Sequence, residues 1–429
     1  MRRPRNADLT SPPGAPPMRL MSRALLTPVL IGGCIVMMIG FAVRASFGVF
    51  QIPVAEEFGW PRAEFSMAIA VQNLAWGIGQ PIFGAIAERF GDRKAIVLGA
   101  LVYSLGLVLT ALSASALAMS VWQVAVGFGI AGTGFGVILA VVGRAAAPEH
   151  RSMALAVATA AGSLGQVWGA PVAEWLLTLT SWQNVFLIFA GVVLASLLAL
   201  PMMRAPEAAS KSEIEEAMGT VLMRAARDPS YALIFIGFFS CGYQLGFITA
   251  HFPAFITEAC GPIMPGGTLD SLGISTTSAL GAAAIAVIGV FNIAGTLTAG
   301  WAGKRWQRKN LLAGIYLGRT LAAAWFILTP MTPATVLIFS AVMGSLWLAT
   351  VPLTSGLVAH LYGLRYMGTL YGIVFFSHQL GSFMGVWLGG TLYDATGGYE
   401  TVWWVGVGVG ALSALVHLPV REERGAVAA

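Results

Sequence analysis

Residues 84–94 read Gly84-Ala-Ile-Ala-Glu88-Arg89-Phe-Gly91-Asp92-Arg93-Lys94, a charged knot between two apolar runs. Each flanking run is long enough to cross a membrane as a helix, which takes about 20 residues. Gly84 and Gly91 permit a tight turn there, because a residue without Cβ tolerates backbone angles that others do not. The rest of the chain repeats this alternation. Apolar runs are expected as spans 1 to 12 at 24-50, 63-87, 95-115, 118-146, 151-178, 183-202, 231-257, 274-302, 311-330, 333-360, 366-394 and 401-419. Only 10% of the 429 residues are charged, against about 25% in soluble domains. The fold class is therefore an all-α membrane protein of twelve transmembrane helices.

Working outward, the opening stretch returns 216 residues later as Gly300-Trp-Ala-Gly-Lys304-Arg305-Trp-Gln-Arg308-Lys309. Leu164, Gly165 and Gly169 fall on Leu380, Gly381 and Gly385 at the same shift. The expected division is a cytoplasmic tail at 1-23, a six-helix bundle at 24-203, a hydrophilic linker at 204-230, a second bundle at 231-420 and a tail at 421-429. Two parallel six-helix repeats place a binding site between the halves near the midplane.

The 84–94 stretch resembles the G-x-x-x-D-R-x-G-x-R-K signature of the major facilitator superfamily, with Glu88 in place of the usual Asp. That resemblance implies a transporter made of two pseudo-symmetric six-helix bundles. It also implies gating and structural roles for Gly84, Glu88, Arg89, Gly91, Asp92, Arg93, Lys94 and Arg144. Arg44-Ala-Ser-Phe-Gly-Val-Phe50 with Glu57-Phe-Gly-Trp-Pro-Arg62 is similar to bacterial porters of the monocarboxylate and oxalate/formate type. Those carriers place a basic residue on span 8, where this chain has Asn292 and neither Arg nor Lys. The run Gly162-Ser-Leu-Gly165-Gln-Val-Trp-Gly169-Ala-Pro171 resembles the span 5 signature of drug antiporters but carries an extra Ala170 and Glu174, and reads as a packing device.

Lys and Arg cluster before span 1, in the 2-3, 4-5, 8-9 and 10-11 connections and at the end, and are absent from the 3-4, 5-6, 7-8, 9-10 and 11-12 connections. Basic residues stay on the cytoplasmic side, so both termini are expected there, in a multi-pass protein of a bacterial inner (plasma) membrane. The net charge of +5 follows from this bias and gives no support to nucleic-acid binding. The apolar run after residue 23 is far longer than a signal-peptide core, which implies an uncleaved first helix. Cys34, Cys241 and Cys260 are too few and scattered for a disulfide or metal framework.

Two arginines lie inside spans, with no carboxylate in the middle of any span. A charge at the bilayer centre costs about 2.5 kcal/mol or more, so embedded cations without embedded anions point to an anion path. Arg44 is expected about 6 Å outward of a span centre near Gly40, at about 1.5 Å per residue. Its forked guanidinium suits a carboxylate, or a structural anchor on helix carbonyls. Arg319 on span 9 is expected to point inward, toward substrate or a structural partner. His378 on span 11 and His251 on span 7 titrate near neutral pH when unperturbed, which makes both candidates for proton coupling. Polar stripes extend the candidate substrate site: Asn73, Trp76 and Gln80 on span 2, Gln166 on span 5, Gln244 on span 7, Asn292 on span 8, Trp347 and Thr350 on span 10, and Tyr371 and Gln379 on span 11. Such stripes can line a cavity or tie helices together. Gly165 with Gly169, and Gly381 with Gly385, are expected to pack against the opposite half.

These features lead to a secondary transporter of a small monocarboxylate-like organic anion by alternating access, with the proton as candidate coupling ion and symport as its form. The alternatives are a proton-driven drug or metabolite exporter, which generally relies on an embedded carboxylate, and a non-transporting sensor on the same scaffold. No nucleophile, base and metal-ligand set suggests an enzyme, no cofactor or metal is expected, and the chain is expected as a monomer in the lipid bilayer.

Overall fold

A computed structural model describes residues 26–147, 151–204, 218–362 and 367–422. The tail 1-23, most of the linker, Arg365 and residues 423–429 lie outside the described residues, as does the side chain of Glu88. Helix 1 starts where the Thr27 hydroxyl accepts the Leu30 amide at 3.2 Å, with Pro28 in the first turn. Proline there loses no hydrogen bond, because the first amides of a helix have no internal partner.

Twelve membrane-length helices follow among the described residues, with no strand: helix 1 Pro28–Phe58, helix 2 Arg62–Phe90, helix 3 Asp92–Ala111 and helix 4 Ala116–Ala145. Helix 5 is Arg151–Leu179, helix 6 Trp182–Met202, helix 7 Pro229–Ala259 and helix 8 Thr277–Ala302. Helix 9 is Arg308–Leu328, helix 10 Pro333–Tyr362, helix 11 Met367–Thr396 and helix 12 Glu400–His417. A linker helix, Met218–Arg227, precedes helix 7. Nine of the twelve are apolar enough to span a membrane by composition alone. Helices 2, 11 and 12 fall short: helix 12 is short and carries Glu400 and His417 at its ends, and helices 2 and 11 carry Gln72, Asn73, Gln80, Ser377, His378 and Gln379 and pack against each other. A helix buried between other helices does not need an apolar surface all round.

The packing repeats between halves. Helices 1 and 5, 2 and 4, and 3 and 6 pair in the first half, as 7 and 11, 8 and 10, and 9 and 12 do in the second. The halves meet through helices 2 and 11 and, symmetrically, 8 and 5. The glycine pairs expected at that junction lie elsewhere. A Cβ on Gly165 or Gly169 would stand 2.0 Å from the Met38 carbonyl oxygen or 2.2 Å from that of Ala42, both on helix 1. On Gly381 or Gly385 it would meet the carbonyls of Phe239 and Tyr243 on helix 7 at 2.0 and 2.2 Å. Spacing finds such a seam but not its partner, since any facing backbone satisfies it.

Gly84 also departs from expectation. Helix 2 runs through it to Phe90, nothing lies within 4 Å of where its Cβ would be, and Gly91 alone makes the turn, at φ 97°. Overpacking a tight crossing costs about 1–3 kcal/mol or more. Gly169→Val is therefore expected to lower the thermal midpoint of the purified protein by several degrees, while Gly84→Ala leaves it unchanged.

Two helices are broken near mid-membrane. Helix 4 is interrupted at Gly134, and helix 10 leaves α-helical geometry between Leu346 and Thr350. Pro352 accounts for the second break, since proline donates no amide to the carbonyl four residues earlier and its ring crowds that oxygen.

Candidate functional site

Helix 1 continues past Ser46 through a tighter turn at Phe47–Phe50 and on to Phe58. That extension moves its centre, and Arg44 sits 16 residues from Pro28 and 14 from Phe58 (44 − 28 and 58 − 44). Arg44 is thus at the middle of the helix rather than outward of it. Its Nη2 donates to Asn73 Oδ1 at 3.2 Å, and its guanidinium carbon stands 4.8 Å from the Trp76 ring centre. Asn73 presents that oxygen because its amide nitrogen donates to the Ile69 carbonyl at 2.9 Å. Trp76 is held in turn by donating to Gln80 Oε1 at 3.0 Å. Arg44 Nε is buried with no hydrogen-bond partner, and no carboxylate pairs with Arg44 among the described residues.

A small closed cavity, with room for about one water, lies beside this cation. Arg44, Ile69 and Asn73 of the first half line it opposite Gly246, Thr249 and Ala250 of the second. Phe375 on helix 11 completes an aromatic edge, 5.3 Å from Trp76, with Phe41 at 6.0 Å on the other side. Of the stripe Asn73, Trp76 and Gln80, the first two touch Arg44 and Gln80 reaches it only through Trp76.

Arg319 lies in different company. It is fully buried, with Nε and Nη2 on the Leu346 carbonyl at 3.0 and 2.5 Å, Nη2 also on the Trp347 carbonyl, and Nη1 on Cys241 Sγ at 3.3 Å. Those carbonyls are the orphaned end of the first segment of helix 10, where a helix carries partial negative charge. Asn292 serves the other side of the break. Its Oδ1 accepts the Leu348 amide at 3.0 Å, and its Nδ2 donates to Ser163 of the first half, also at 3.0 Å. Trp347 lies in the break itself, and Thr350 Oγ1 is 3.3 Å from Cys241 Sγ.

The remaining candidates are scattered. Gln244 donates to the Gly406 carbonyl on helix 12 at 3.2 Å, away from Arg44, and Gln166 is buried on helix 5. His378 stacks on Phe375, and its Nδ1 lies 3.1 Å from Gln379 Oε1. Tyr371 is half-buried near Phe238. Asp92 pairs with Arg144, tying helix 3 to helix 4 within one half. Arg89, Arg93 and Lys94 are exposed around that pair.

Sequence reading named only His251 as a candidate in a cluster at the bundle end opposite the termini, where helices 1, 2, 7, 11 and 12 meet. Asp394 accepts the backbone amides of Arg62 at 3.0 Å and Ala63 at 2.7 Å, so a carboxylate from the second half caps the start of helix 2. Arg62 pairs with Glu258 at the end of helix 7. Beneath them Gln51 Nε2 lies 2.9 Å from His251 Nδ1, and Tyr399 donates to Gln51 Oε1 at 3.1 Å. Burial holds the Tyr399 hydroxyl above its ordinary range, so it remains a donor. Every one of these contacts joins one half to the other. Losing a carboxylate at a helix start costs about 1–2 kcal/mol. Asp394→Ala is thus expected to raise the open-to-closed ratio of this end about 5- to 30-fold, read as labelling of Ser66→Cys by a water-soluble maleimide.

The family model for the Major Facilitator Superfamily matches residues 32–386 and 247–428. The chain is 26% identical over 389 residues to the uncharacterized MFS-type transporter YcxA of Bacillus subtilis, covering 87% of this chain and 90% of that protein. It is 22% identical over 390 residues to monocarboxylate transporter 13 of Bos taurus, covering 88% and 86%. The crystal structure of a bacterial homolog to the human lysosomal transporter Spinster, in an inward-facing and occupied conformation, superposes with a TM-score of 0.71 at 14% identity, covering 92% of this chain and 97% of that one.

Proposed function

The chain belongs to the Major Facilitator Superfamily, and on that premise we propose that it moves a small organic anion, of monocarboxylate type, across the membrane by alternating access. The observation that carries this reading is Arg44: a guanidinium at the middle of helix 1 with a free Nε, no carboxylate partner among the described residues, and a cavity shared by both halves. An embedded cation left without an anion is costly, and a bound carboxylate offsets that cost with paired charge-assisted hydrogen bonds. Asn73 and Trp76 aim the guanidinium, and the rings of Trp76, Phe41 and Phe375 suit an apolar substituent on the anion.

In this reading the halves 24-203 and 231-420 rock about the site, with the linker between them. Opening from the distal end requires the Arg62, Glu258 and Asp394 contacts to part, whereas the glycine seams stay closed because they lie within halves. The distribution of Lys and Arg supports cytoplasmic termini, and in this reading the closed distal end is the outer one. Arg319, Asn292 and Gln244 take structural roles in this scheme, and Gln80, Gln379 and Tyr371 extend the substrate surface toward the termini. The similarity to a protein named as a monocarboxylate transporter supports the same substrate class.

The test is uptake into proteoliposomes of radiolabelled short-chain and aromatic monocarboxylates, with the matching amides as uncharged controls. Saturable uptake of one or more acids, with the amides excluded, is the expected result. Equal handling of acids and amides, or uptake of neither, would sink the anion reading and favour a proton-driven exporter.

A further inference from the structure

The protein carries no mid-membrane carboxylate that could exchange protons, yet it buries a complete hydrogen-bond circuit around an imidazole. His251 on helix 7 is fully buried. Its Nε2 lies 2.8 Å from the Val386 carbonyl of helix 11, which can only accept, so Nε2 holds the ring proton. Its Nδ1 lies 2.9 Å from Gln51 Nε2 and 3.3 Å from the Tyr399 hydroxyl. Tyr399 donates to Gln51 Oε1, which turns the Gln51 amino group toward Nδ1. Gln51 Nε2 also reaches the Ser66 hydroxyl at 3.3 Å. The histidine is thus a neutral ring whose remaining lone pair is occupied by a donor.

The two sides of this circuit belong to different halves. Gln51 and Ser66 lie on helices 1 and 2, whereas His251, Val386 and Tyr399 lie on helices 7, 11 and 12. We propose that His251 is a proton-binding site that stays empty while the distal ends of the halves are closed and fills when they part, so that protonation drives the distal gate open. The inference rests on the alternating-access reading above.

The charges around the ring set the sign. Arg62 acts on it from helix 2, Tyr399 touches it from just before helix 12 and helix 1 presents Gln51, while Glu258 of its own helix and Tyr393 and Asp394 of helix 11 lie around Tyr399. In the closed state the Gln51 amino group occupies the Nδ1 lone pair that a second ring proton would need. Opening withdraws Gln51 from Nδ1 and carries Arg62 away with helix 2. Glu258 and Asp394 are released from their cross-half partners, and Nε2 keeps its bond to Val386. Each change favours the charged ring, so the open state binds the proton more tightly. A proton that prefers one state stabilises that state as pH falls through the histidine range, near 6.5 for an unperturbed ring. Acid on the distal side therefore opens the distal end, and alkali closes it.

The experiment reads the gate without substrate. Spin labels are placed at Ala114→Cys and Ala334→Cys, exposed distal residues of the two halves, in the full chain carrying Cys34→Ala, Cys241→Ser and Cys260→Ala, reconstituted in nanodiscs. Pulsed-dipolar distances are then recorded from pH 8 to pH 5. The expected result is a longer distance at acid pH, with the open-to-closed ratio changing by up to about tenfold per pH unit, the slope for one proton. His251→Gln is expected to abolish the dependence. Gln51→Leu keeps the ring but removes its donor, and is expected to move the midpoint to higher pH. A distance independent of pH in the parent protein, or a His251→Gln variant that titrates like the parent, overturns the proposal. If His251→Gln does not fold, a Gln51→Leu midpoint equal to or below the parent's overturns it instead. Because no substrate is present, failure of this titration and failure of carboxylate uptake are separate results.

Discussion

Arg44→Ala is expected to abolish saturable carboxylate uptake while leaving the protein folded. The geometry separates these two outcomes. Toward the protein Arg44 makes one hydrogen bond, to Asn73, and one cation–π contact, to Trp76, while its Nε has no partner. Removing it leaves one amide oxygen to find water in a cavity that already has room for about one. Toward a carboxylate it supplies the only charge among the described residues lining the cavity, and truncating one member of a buried charged pair costs about 2–5 kcal/mol. That converts to a rise in Kd of about 30-fold to several thousand-fold. Arg44→Lys keeps the charge but loses the fork, so an intermediate loss is expected. Equilibrium binding of the transported acid, beside thermal unfolding of the same preparations, checks both halves of the claim. Unchanged affinity in a folded Arg44→Ala protein would remove Arg44 from the site.

The membrane architecture was legible because it is written in long apolar runs and in the position of Lys and Arg, which need no knowledge of partners. The internal repeat was legible for the same reason, as identity at a fixed shift. The candidate site was only partly so. Asn73, Trp76 and Gln80 fall on one helix face and could be grouped by periodicity, and helix 1 brings Arg44 onto the first two. Arg319 and Arg44 looked alike in sequence, each a cation in an apolar run. What separates them is whether a backbone carbonyl is free nearby, and that depends on the break in helix 10. Pro352 was the visible signal of that break, though not of its consequence for Arg319. Apart from His251, the distal cluster was beyond reach, since Asp394 caps an amide 332 residues away and neither residue belongs to a local pattern.

The same contrast predicts that Arg319→Ala destabilises the protein more than any change at Arg44, without altering what the surviving fraction binds. Arg319 is fully buried, and its donors meet the carbonyls of Leu346 and Trp347 and the sulfur of Cys241. Alanine leaves two buried carbonyls without donors at the negative end of a helix segment, in a position that water does not reach. Each unsatisfied group costs about 1–3 kcal/mol, and the vacated volume adds a cavity term, so a loss of about 4 kcal/mol or more is expected from the pair and the void. Such a loss approaches the whole stability of a typical domain, and the variant should be recovered in low yield with a sharply lowered thermal midpoint. Arg319→Lys restores a donor but cannot reach both carbonyls and Cys241 from one nitrogen, so it recovers only part of the loss. Arg44 and Arg319 contact no common residue, and distant sites add within about 0.5 kcal/mol. The folded fraction of Arg319→Ala is therefore expected to bind carboxylate within about threefold of the parent. An Arg319→Ala protein of normal stability that had lost carboxylate binding would reverse the assignment, making Arg319 the anion ligand and helix 10 stable at its break without it.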